Sequence, residues 1–512
     1  MNINGGHGMS EYAGAKKRRS ALILTLGCRV NHYESEAIAA KLREAGFTVA
    51  MSEDASVGGC DTVIVNTCSV TAMSDRKSRQ TVHRAIKNNP DAAFYVTGCS
   101  AQNHPQAYAG LPGVRAVVGN RSKLEAALLA ASDAGTDKPT GTDLSGAPFE
   151  SMSVSSFGRL RSYIKIEDGC RSNCAYCIIP KLRGDIRCKA PDDVTAEAGA
   201  LVRGGSPEIV LTGIELSAYS YGLAELIKRL DAIDGIRRIR LGSLDPSFIR
   251  ADFVDAYAAC RHTMPHFHLS MQSGCDRTLA AMRRRYNTAQ VLERLQLMRE
   301  RIPALRLSAD IICGFPGESD ADFEQTRSFL AEADFFHLHV FPYSRREGTE
   351  AADMSNQIPS QTAKERVAAL MRDSCERQHR EISRLAAEKT AVRLLVERVQ
   401  TDGDGVVLTG HSEEFFETSV RMTAGEATRL IDKAAPSDDT SVNAEAALPP
   451  DSASVNAEAA SPSGGTEKTD FRRLRGRELT AYIEGIDGAR ITARLRQTAR
   501  GTEAPYHIHK QR

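Results

Sequence analysis

The most constraining feature of the sequence is a group of three cysteines on one predicted loop. Cys170, Cys174 and Cys177 lie in DGCRSNCAYCIIPKLRG (168–184), directly after the alternating apolar segment YIKIE (163–167), which predicts a β-strand. Cysteine thiolates are the usual protein ligands of iron–sulfur clusters, and three of them can bind three irons of a cubane and leave the fourth iron open. A structural zinc site normally has four donors, often in pairs, and the sequence contains no second C-x-x-C. Three ordinary core cysteines are the remaining alternative.

Length and composition indicate a multidomain protein of the reducing cytosol. A chain of 512 residues exceeds the usual size of one domain. Its twelve cysteines are too sparse for a disulfide scaffold, which favours a cytoplasmic location. No apolar run approaches the roughly 20 residues that span a bilayer, and the N-terminus has basic residues but no apolar stretch before Ala21. We therefore predict no membrane partner and no secretory signal; we also expect a monomer.

The net charge gives no indication of a nucleic-acid partner. Lys and Arg number 66 against 65 Asp and Glu, so the formal charge is +1. RNA binding would require local basic patches, each of which is otherwise a solvated face. The candidate patches are RKSR (76–79), RRR (283–285), RR (345–346) and RRLRGR (472–477).

The N-terminal part of the chain alternates short apolar segments with amphipathic segments. Strands that alternate with helices predict a doubly wound parallel sheet in an α/β fold. The predicted strands are 21–26, 61–66, 93–97 and 114–119, and the predicted helices are 31–45, 71–88 and 123–131.

A further cysteine follows each of the first three predicted strands. These are Cys28, Cys68 and Cys99. The carboxyl ends of parallel strands share one edge of the sheet, where ligands bind in open α/β folds. Gly27 and Gly98 precede two of these cysteines and allow the backbone to bend close to a bulky group. The pattern predicts a second cubane cluster with three protein ligands; three unrelated buried cysteines are the alternative.

The remaining patterns divide the chain into successive domains. Six strand–helix units predict a partial (β/α)6 barrel, whose chemistry lies at the carboxyl ends of its strands, where the Cys170 loop also lies. Both cysteine groups face each other if the sheet edge docks on the barrel mouth. The predicted boundaries are a disordered tail at 1–18, the N-terminal domain at 19–133, a linker at 134–156, the barrel at 157–385, a small antiparallel β-barrel at 386–497 with a disordered insertion at 434–469, and a tail at 498–512.

These parts, in this order, resemble the methylthiotransferase family of radical S-adenosylmethionine (SAM) enzymes. That family combines a three-cysteine N-terminal domain, a radical SAM barrel and a C-terminal TRAM barrel that binds RNA. Within it, the first motif is most similar to the branch that acts on threonylcarbamoyl-adenosine. The matching motifs are TLGCRVNHYESEA (25–37), VNTCSVTAMSDRKSRQ (65–80), VTGCSAQ (96–102), LTGIELSAYS (211–220), HLSMQSGCDRTLAAMRRRY (268–286), DIICGFPGESDADFEQT (310–326) and VFPYSRREGTEAA (340–352).

The resemblance implies an activity and its cofactors. It implies methylthiolation of C2 of N6-threonylcarbamoyladenosine at tRNA position 37, with two [4Fe-4S] clusters, SAM and an external electron donor. The Cys170 group would serve radical formation, and the Cys28 group would supply the methylated sulfur. An unactivated C–H bond requires radical chemistry, which cofactors provide. The alternatives are isopentenyl-adenosine or a ribosomal-protein aspartate as acceptor, a single-cluster radical SAM enzyme, and a non-catalytic iron–sulfur RNA-binding protein.

Further site residues are predicted around the two cysteine groups. GGSPE (204–208) resembles the family motif that meets the amino group of SAM, which assigns Gly205 and Glu208 to the cofactor. Residues predicted at the barrel mouth are assigned to SAM or substrate, with a loop-stabilising role as the alternative; they are Ser243, Gln272 and Asp310. Four arginines near the cysteines are predicted to meet tRNA phosphates; they are Arg76, Arg79, Arg183 and Arg187.

Overall fold

The computed structural model describes residues 19–403, 405–432, 470–487 and 490–495. The predicted tails at 1–18 and 498–512 and the predicted insertion at 434–469 lie outside the described residues. None of the helices in the described ranges combines the length and apolarity that a bilayer crossing requires.

The N-terminal unit is a five-stranded parallel sheet in the order β2-β1-β3-β4-β5. All four predicted strands are present, and the half-exposed edge strand β2 was missed because TVAMS has no clear apolar pattern. The strands are β1 (Ser20–Thr25), β2 (Thr48–Ser52), β3 (Thr62–Thr67), β4 (Ala93–Gly98) and β5 (Val114–Val118), and the helices are α1 (Arg29–Glu44), α2 (Ala72–Asn88), α3 (Cys99–Asn103), α4 (Gln106–Ala109) and α5 (Glu125–Ala131).

Both faces of this sheet are covered by helices, which explains its continuous apolar strands. On one face Leu22 and Leu24 pack in a core with Val82 of α2. On the other face Ile23 packs with Ile38 of α1. The predicted doubly wound sheet is therefore confirmed. The strand order reverses between β1 and β3, and this reversal makes the crevice in which such sheets bind ligands.

The central unit is a six-stranded partial barrel. It consists of two parallel sheets, β10-β9-β6 and β11-β12-β13, joined by the bridge between Leu244 and Leu269. The predicted partial barrel is confirmed. Its strands are β6 (Arg161–Lys165), β9 (Glu208–Thr212), β10 (Arg238–Leu241), β11 (His266–Gln272), β12 (Arg306–Cys313) and β13 (His337–Pro342), and the short β7 (Glu167–Asp168) and β8 (Arg187–Cys188) pair beside the cysteine loop.

Helices surround the outside of the partial barrel. Alternation along β11 explains the packing, because Phe267, Leu269 and Met271 join the core beneath the helices while the residues between them face the lumen. The helices are α6 (Ile179–Arg183), α7 (Pro191–Arg203), α8 (Leu223–Asp231), α9 (Ala251–Ala259), α10 (Asp276–Ala281), α11 (Thr288–Arg301), α12 (Asp320–Glu332), α13 (Glu350–Asp353) and α14 (Ser360–Ala387).

The C-terminal unit is a closed five-stranded barrel in the order β14-β15-β16-β18-β17. The predicted small barrel is confirmed, but it is not wholly antiparallel, since β16 and β18 pair in parallel. Its elements are β14 (Ala391–Asp402), β15 (Gly405–His411), β16 (Glu417–Thr423), α15 (Ala424–Asp432), β17 (Glu478–Asp487) and β18 (Arg490–Leu495).

The C-terminal barrel docks on the amino ends of the central strands. Arg238 donates from Nε to Glu478 Oε1 at 2.6 Å, and Arg240 donates to the Ser412 carbonyl at 2.7 Å. The Phe415 ring stacks on His266 with 4.8 Å between centroids. This end of the partial barrel is therefore occupied, and the opposite, carboxyl end carries the cysteine loop.

Candidate functional site

The three N-terminal cysteines lie together at the crevice of the first sheet. Cys28 caps α1, Cys68 follows β3, and Cys99 begins α3 directly after β4. Each thiol is close enough to influence the ionisation of another: Cys99 acts on Cys28, and both act on Cys68. A Cβ on Gly27 would lie only 2.6 Å from the Cys68 sulfur. The topology thus brings these three residues onto one rim, as the strand pattern predicts.

Hydrogen bonds fix the three loops that carry these cysteines. The Asn31 amide of α1 donates to the carbonyls of Leu26 and Thr67, at 2.7 and 3.0 Å, and so joins the loops before Cys28 and Cys68. The Thr67 hydroxyl accepts from the Ser100 backbone N–H at 3.2 Å, beside Cys99. The geometry of the rim is therefore set by buried polar groups rather than by the cysteines alone.

Gly98 makes the close approach of β4 and β3 possible, and its replacement has a predictable cost. Its φ is +96°, and a Cβ there would overlap the Thr67 backbone. We expect Gly98→Ala to lower the free energy of unfolding by about 2–4 kcal/mol, through backbone strain and overpacking. Gly46→Ala is the matched control, since φ is +86° and a Cβ would meet nothing within 4 Å. Urea unfolding should show the larger loss for Gly98→Ala; equal losses would contradict the steric explanation.

The second cysteine group is held on a loop at the carboxyl end of β6. The two-stranded ladder of β7 and β8 closes the base of this loop. Backbone bonds anchor it further: Cys170 N–H donates to the Gly184 carbonyl at 3.1 Å, and Ala175 N–H donates to the Met282 carbonyl at 3.1 Å. Arg284 donates to the Cys174 sulfur at 3.3 Å. The sequence had assigned Arg284 only to a basic patch, whereas its side chain lies beside this loop and pairs with Asp245 at 2.6 Å.

The two cysteine groups face one another across the junction of the first two units. Cys99 packs directly against Ile178 and Leu182, which follow the Cys170 loop. The Asn120 amide spans the same contact, with its nitrogen 2.8 Å from the Leu182 carbonyl and 3.7 Å from the Cys99 sulfur. Next to Cys68 in the chain, Ser69 accepts a hydrogen bond from Arg346 of the barrel unit at 2.7 Å. The sheet rim therefore contacts the segment that follows the Cys170 loop, and this contact brings the two cysteine groups to the same junction.

Four of the six thiols are not activated as nucleophiles. Burial raises the pKa of Cys68 to about 11 and that of Cys177 to about 12, and it also raises the pKa of Cys28 and Cys170. A catalytic nucleophile needs a lowered pKa, whereas a metal displaces the thiol proton when it binds. Cys28 is also solvent-accessible although burial dominates its pKa, so its side chain faces a recess enclosed by protein.

A buried ionic network connects the two groups. Glu34 of α1 pairs with Lys123, with Lys165 at 2.9 Å and with Arg183 at 2.6 Å, and all four side chains are at most 2% exposed. Asp168, which precedes the Cys170 loop, pairs with Lys165, Arg183 and also Arg187. This network thus contains four cations and two carboxylates. The Glu150 carboxyl lies nearby and accepts a hydrogen bond from the Lys123 backbone N–H.

This excess of buried positive charge fits anionic thiolate-bound clusters. Among the described residues, no three His, Cys, Asp or Glu side chains converge as a single metal ion requires. A cubane imposes a different arrangement, because each thiolate binds its own iron. The two cysteine trios and the surplus cations together provide donors and compensating charge for such groups.

The structure overturns part of the RNA-binding prediction. The Arg183 side chain is fully buried in the ionic network, and Arg187 pairs with Asp168 and donates to the Arg183 carbonyl at 2.7 Å. Neither side chain is available to a phosphate, because each is needed to compensate buried carboxylates. Arg79 pairs with the buried Asp75, while Arg76 is exposed and stays a candidate for RNA contact.

The predicted SAM-binding residues do not all lie at the same end of the partial barrel. Ser243 and Gln272 lie at the carboxyl ends of β10 and β11, and Asp310 lies within β12. Gly205 and Glu208 do not join them, because Glu208 begins β9 at its amino end and pairs with Arg240 at 2.9 Å. A Gly-x-Glu sequence occurs at the opposite end of this strand, where Glu215 accepts from the Ser217 backbone N–H at 3.3 Å and interacts electrostatically with Cys170. The sequence motif LTGIELSAYS (211–220) contains this Gly-x-Glu and could have indicated Glu215.

The lumen of the partial barrel is lined by hydrogen-bonded histidines. His268 bonds Ser308 Oγ at 2.8 Å and Asp310 at 3.0 Å, and His337 bonds Gln378 at 2.6 Å. Burial lowers the pKa of His337 to about 4 and also lowers that of His339. These two imidazoles are therefore neutral at physiological pH. The lumen therefore offers neutral imidazole donors and acceptors, with the Asp310 carboxyl group beside them, to a polar ligand.

Family models match both cysteine-bearing units. The model described as the Radical SAM superfamily matches residues 164–330. The model described as Uncharacterized protein family UPF0004 matches residues 20–119. The two matched regions contain the Cys170 group and the Cys28 group, respectively.

Several curated proteins are similar to most of the chain. Threonylcarbamoyladenosine tRNA methylthiotransferase MtaB of Bacillus subtilis (strain 168) is 38% identical over 359 residues, covering 68% of this chain and 78% of that protein. The protein of the same name from Rickettsia prowazekii (strain Madrid E) is 38% identical over 384 residues, covering 73% and 87%. A tRNA-2-methylthio-N(6)-dimethylallyladenosine synthase of Tropheryma whipplei (strain Twist) is 34% identical over 361 residues, covering 68% and 76%. With the cysteine geometry and both family models, these similarities show that the chain belongs to the methylthiotransferase family of radical SAM enzymes.

Proposed function

We propose that this enzyme adds a methylthio group to C2 of N6-threonylcarbamoyladenosine, next to the anticodon of tRNA. The observation that carries the proposal is the pair of cysteine trios at the junction of the sheet rim and the barrel mouth, where Cys99 packs against Ile178 and Leu182. The names of the relatives from Bacillus and Rickettsia support this acceptor. A tRNA substrate also agrees with the cytoplasmic location that the cysteine content favours.

The two trios would divide the cofactor chemistry. Cys170, Cys174 and Cys177 would hold one [4Fe-4S] cluster, and the other three cysteines would hold a second; with SAM and an external electron donor these groups supply radical and sulfur chemistry. The protein supplies position and shielding. The sheet rim contacts the barrel mouth, and the Glu34 network fixes the two units against each other.

Glu215 is the side chain that we assign to the amino group of SAM. It follows β9 at the barrel mouth and interacts electrostatically with Cys170. Its backbone N–H donates to Glu167 Oε2 at 2.6 Å, which fixes the turn. A carboxylate here complements an ammonium group, so the assignment made for Glu208 from the sequence moves to the other end of the same strand.

Replacement of Glu215 provides a test of this assignment. We expect Glu215→Gln to weaken SAM binding about 10- to 100-fold, since a charge-assisted hydrogen bond contributes about 1.5–3 kcal/mol. The measurement is equilibrium dialysis of SAM against reconstituted protein. Glu208→Gln is the comparison on the same strand; the variant loses a buried pair with Arg240, so its folded fraction is measured first, and the folded protein should bind SAM normally. The opposite ranking of the two variants would restore the original assignment to Glu208.

RNA contacts are proposed for two surfaces. Arg76 lies exposed on α2 beside the rim. The C-terminal barrel carries an open groove of about 1150 Å³ lined by Arg421, Arg472 and Arg490, among others. Acidic residues pair with two of these arginines, Asp402 with Arg421 at 2.6 Å and Glu417 with Arg490 at 2.8 Å. Binding at this groove would therefore exchange protein carboxylates for phosphates.

Nucleoside analysis of tRNA tests the acceptor. In a strain that lacks this protein, we expect the methylthio derivative of threonylcarbamoyladenosine to disappear and to return on complementation. Isopentenyladenosine is the second candidate, because the relative from Tropheryma is named for the dimethylallyl nucleoside. Loss of that derivative instead would replace our proposal. Release of deoxyadenosine by reduced, reconstituted protein would exclude a non-catalytic RNA-binding role.

A further inference from the structure

We propose that Arg183 donates a hydrogen bond from Nε–H to the cluster held by Cys28, Cys68 and Cys99, and that this bond raises the reduction potential of that cluster. The inference rests on the proposed function, which places a cluster on these three cysteines. It assigns to Arg183 a role in tuning the N-terminal group, although the residue belongs to the barrel unit.

The terminal nitrogens of the Arg183 guanidinium are already occupied. Nη1 donates to Glu34 Oε1 at 2.6 Å, and Nη2 donates to Asn31 Oδ1 at 2.8 Å. Weaker contacts of 3.3 and 3.4 Å join Nη1 to Asp168. These bonds fix the plane of the guanidinium, because a planar fork held at both ends has little freedom to rotate.

The remaining donor, Nε–H, has no hydrogen-bond partner within the described ranges, although it is buried. Leaving such a donor unpaired in the protein interior costs about 1–3 kcal/mol. The side chain as a whole is 0% exposed. The Nε–H of Arg187 is unpaired as well, so the position of Arg183 beside Cys28 and Cys99 is what identifies an acceptor for its donor.

The surroundings of Arg183 identify this acceptor as the group on the N-terminal cysteines. Leu182, its chain neighbour, packs against Cys99. Arg183 interacts electrostatically with both Cys28 and Cys99. The Asn120 amide, which binds the Leu182 carbonyl, lies 3.7 Å from the Cys99 sulfur and shows that sulfur at this position already accepts a contact from a polar donor.

The chemical consequence follows from the charge of a thiolate-bound cluster. Hydrogen bonds to cluster sulfurs, net charge and solvent exposure set the reduction potential. A buried guanidinium N–H stabilises the more negative, reduced state and therefore raises the potential.

Arg187 provides a matched control. Its Nε–H also has no partner among the residues described, and it pairs with the same Asp168 at 3.3 Å. Arg187 is not among the main electrostatic influences on Cys28 or Cys68, whereas Arg183 acts on Cys28. The two arginines therefore share a carboxylate and differ in their proximity to the rim.

The experiment uses the full chain with Cys170, Cys174 and Cys177 replaced by alanine, so that only the N-terminal cluster is present. Arg183→Lys keeps the positive charge but removes Nε–H. We expect it to retain iron, to shift the potential of the cluster to a more negative value in redox titration, and to abolish the weak ¹⁵Nε coupling that pulsed EPR detects in arginine-labelled protein. Arg187→Lys should change neither the potential nor the coupling.

Three outcomes overturn the inference. An unchanged potential and coupling in Arg183→Lys shows that the side chain does not contact the cluster. Loss of iron from that variant assigns Arg183 to assembly of the site rather than to tuning. Absence of iron from the triple-alanine parent removes the second cluster itself, and with it the proposed function, so this failure is distinguishable from the other two.

Discussion

Replacing Cys28, Cys68 and Cys99 together by alanine is expected to abolish methylthio transfer while deoxyadenosine release from SAM continues. Transfer should fall by about 10³-fold or more, because loss of an essential group removes the chemical step itself. Replacing Cys170, Cys174 and Cys177 should abolish both activities. The measurement is parallel quantification of deoxyadenosine and of modified tRNA nucleoside by mass spectrometry.

We expect methylthio transfer and deoxyadenosine release to be lost separately because each cysteine trio is held by its own structural unit. The Cys170 loop is anchored by backbone bonds to Gly184, Met282 and Ala351, all within the barrel. The rim cysteines depend on Asn31 and Thr67 of the first sheet. Replacing the cysteines of one trio by alanine therefore leaves intact the backbone that supports the other trio.

Cysteines outside both trios serve as controls for this prediction. Cys60 lies in the N-terminal unit and Cys375 lies exposed on α14. Alanine at either position should leave iron content and both activities unchanged. If the rim variant also stops releasing deoxyadenosine, the two trios do not have separate roles, and the assignment of radical formation to the barrel alone is wrong.

The rim of cysteines was predictable from sequence for a topological reason. Parallel strands place their carboxyl ends on one edge, so Cys28, Cys68 and Cys99 could be grouped although tens of residues separate them. The same rule placed the Cys170 loop at the barrel mouth. The alternation of apolar and amphipathic segments along the chain was therefore sufficient to predict most of the fold and the grouping of the six cysteines.

The errors concern residues whose roles depend on distant partners. Glu208 and Glu215 both follow glycines near β9, and only the direction of the strand shows that Glu215 is at the mouth. Arg183 appeared to be a surface cation, but it lies 149 positions from Glu34, its main partner. No local pattern predicts a pair at that separation, because it forms only when two units dock.

Among the substitutions proposed for this chain, Glu34→Gln is expected to lower the free energy of unfolding the most. In Glu34→Gln the cations Lys123, Lys165 and Arg183 remain buried without their shared carboxylate. Breaking a buried ion pair by removing one partner costs about 3–5 kcal/mol. Urea unfolding should show this loss. Glu53→Gln is the control, since Glu53 is exposed and meets Arg159 at 3.5 Å, and exposed pairs contribute about 0–1 kcal/mol.

The pH dependence of this loss has a definite sign. Burial alone would raise the pKa of Glu34, but the charges of Arg183, Lys123 and Lys165 hold it well below its ordinary value of 4.5. The stabilisation by a carboxylate with a lowered pKa is complete above the unfolded-state value and is lost as the pH falls through the folded-state value. The difference between wild type and Glu34→Gln should therefore be constant at neutral pH and narrow only below about pH 4.5. A difference that persists unchanged in strong acid would mean that Glu34 acts through packing, and the ionic network would not be what holds the rim against the barrel.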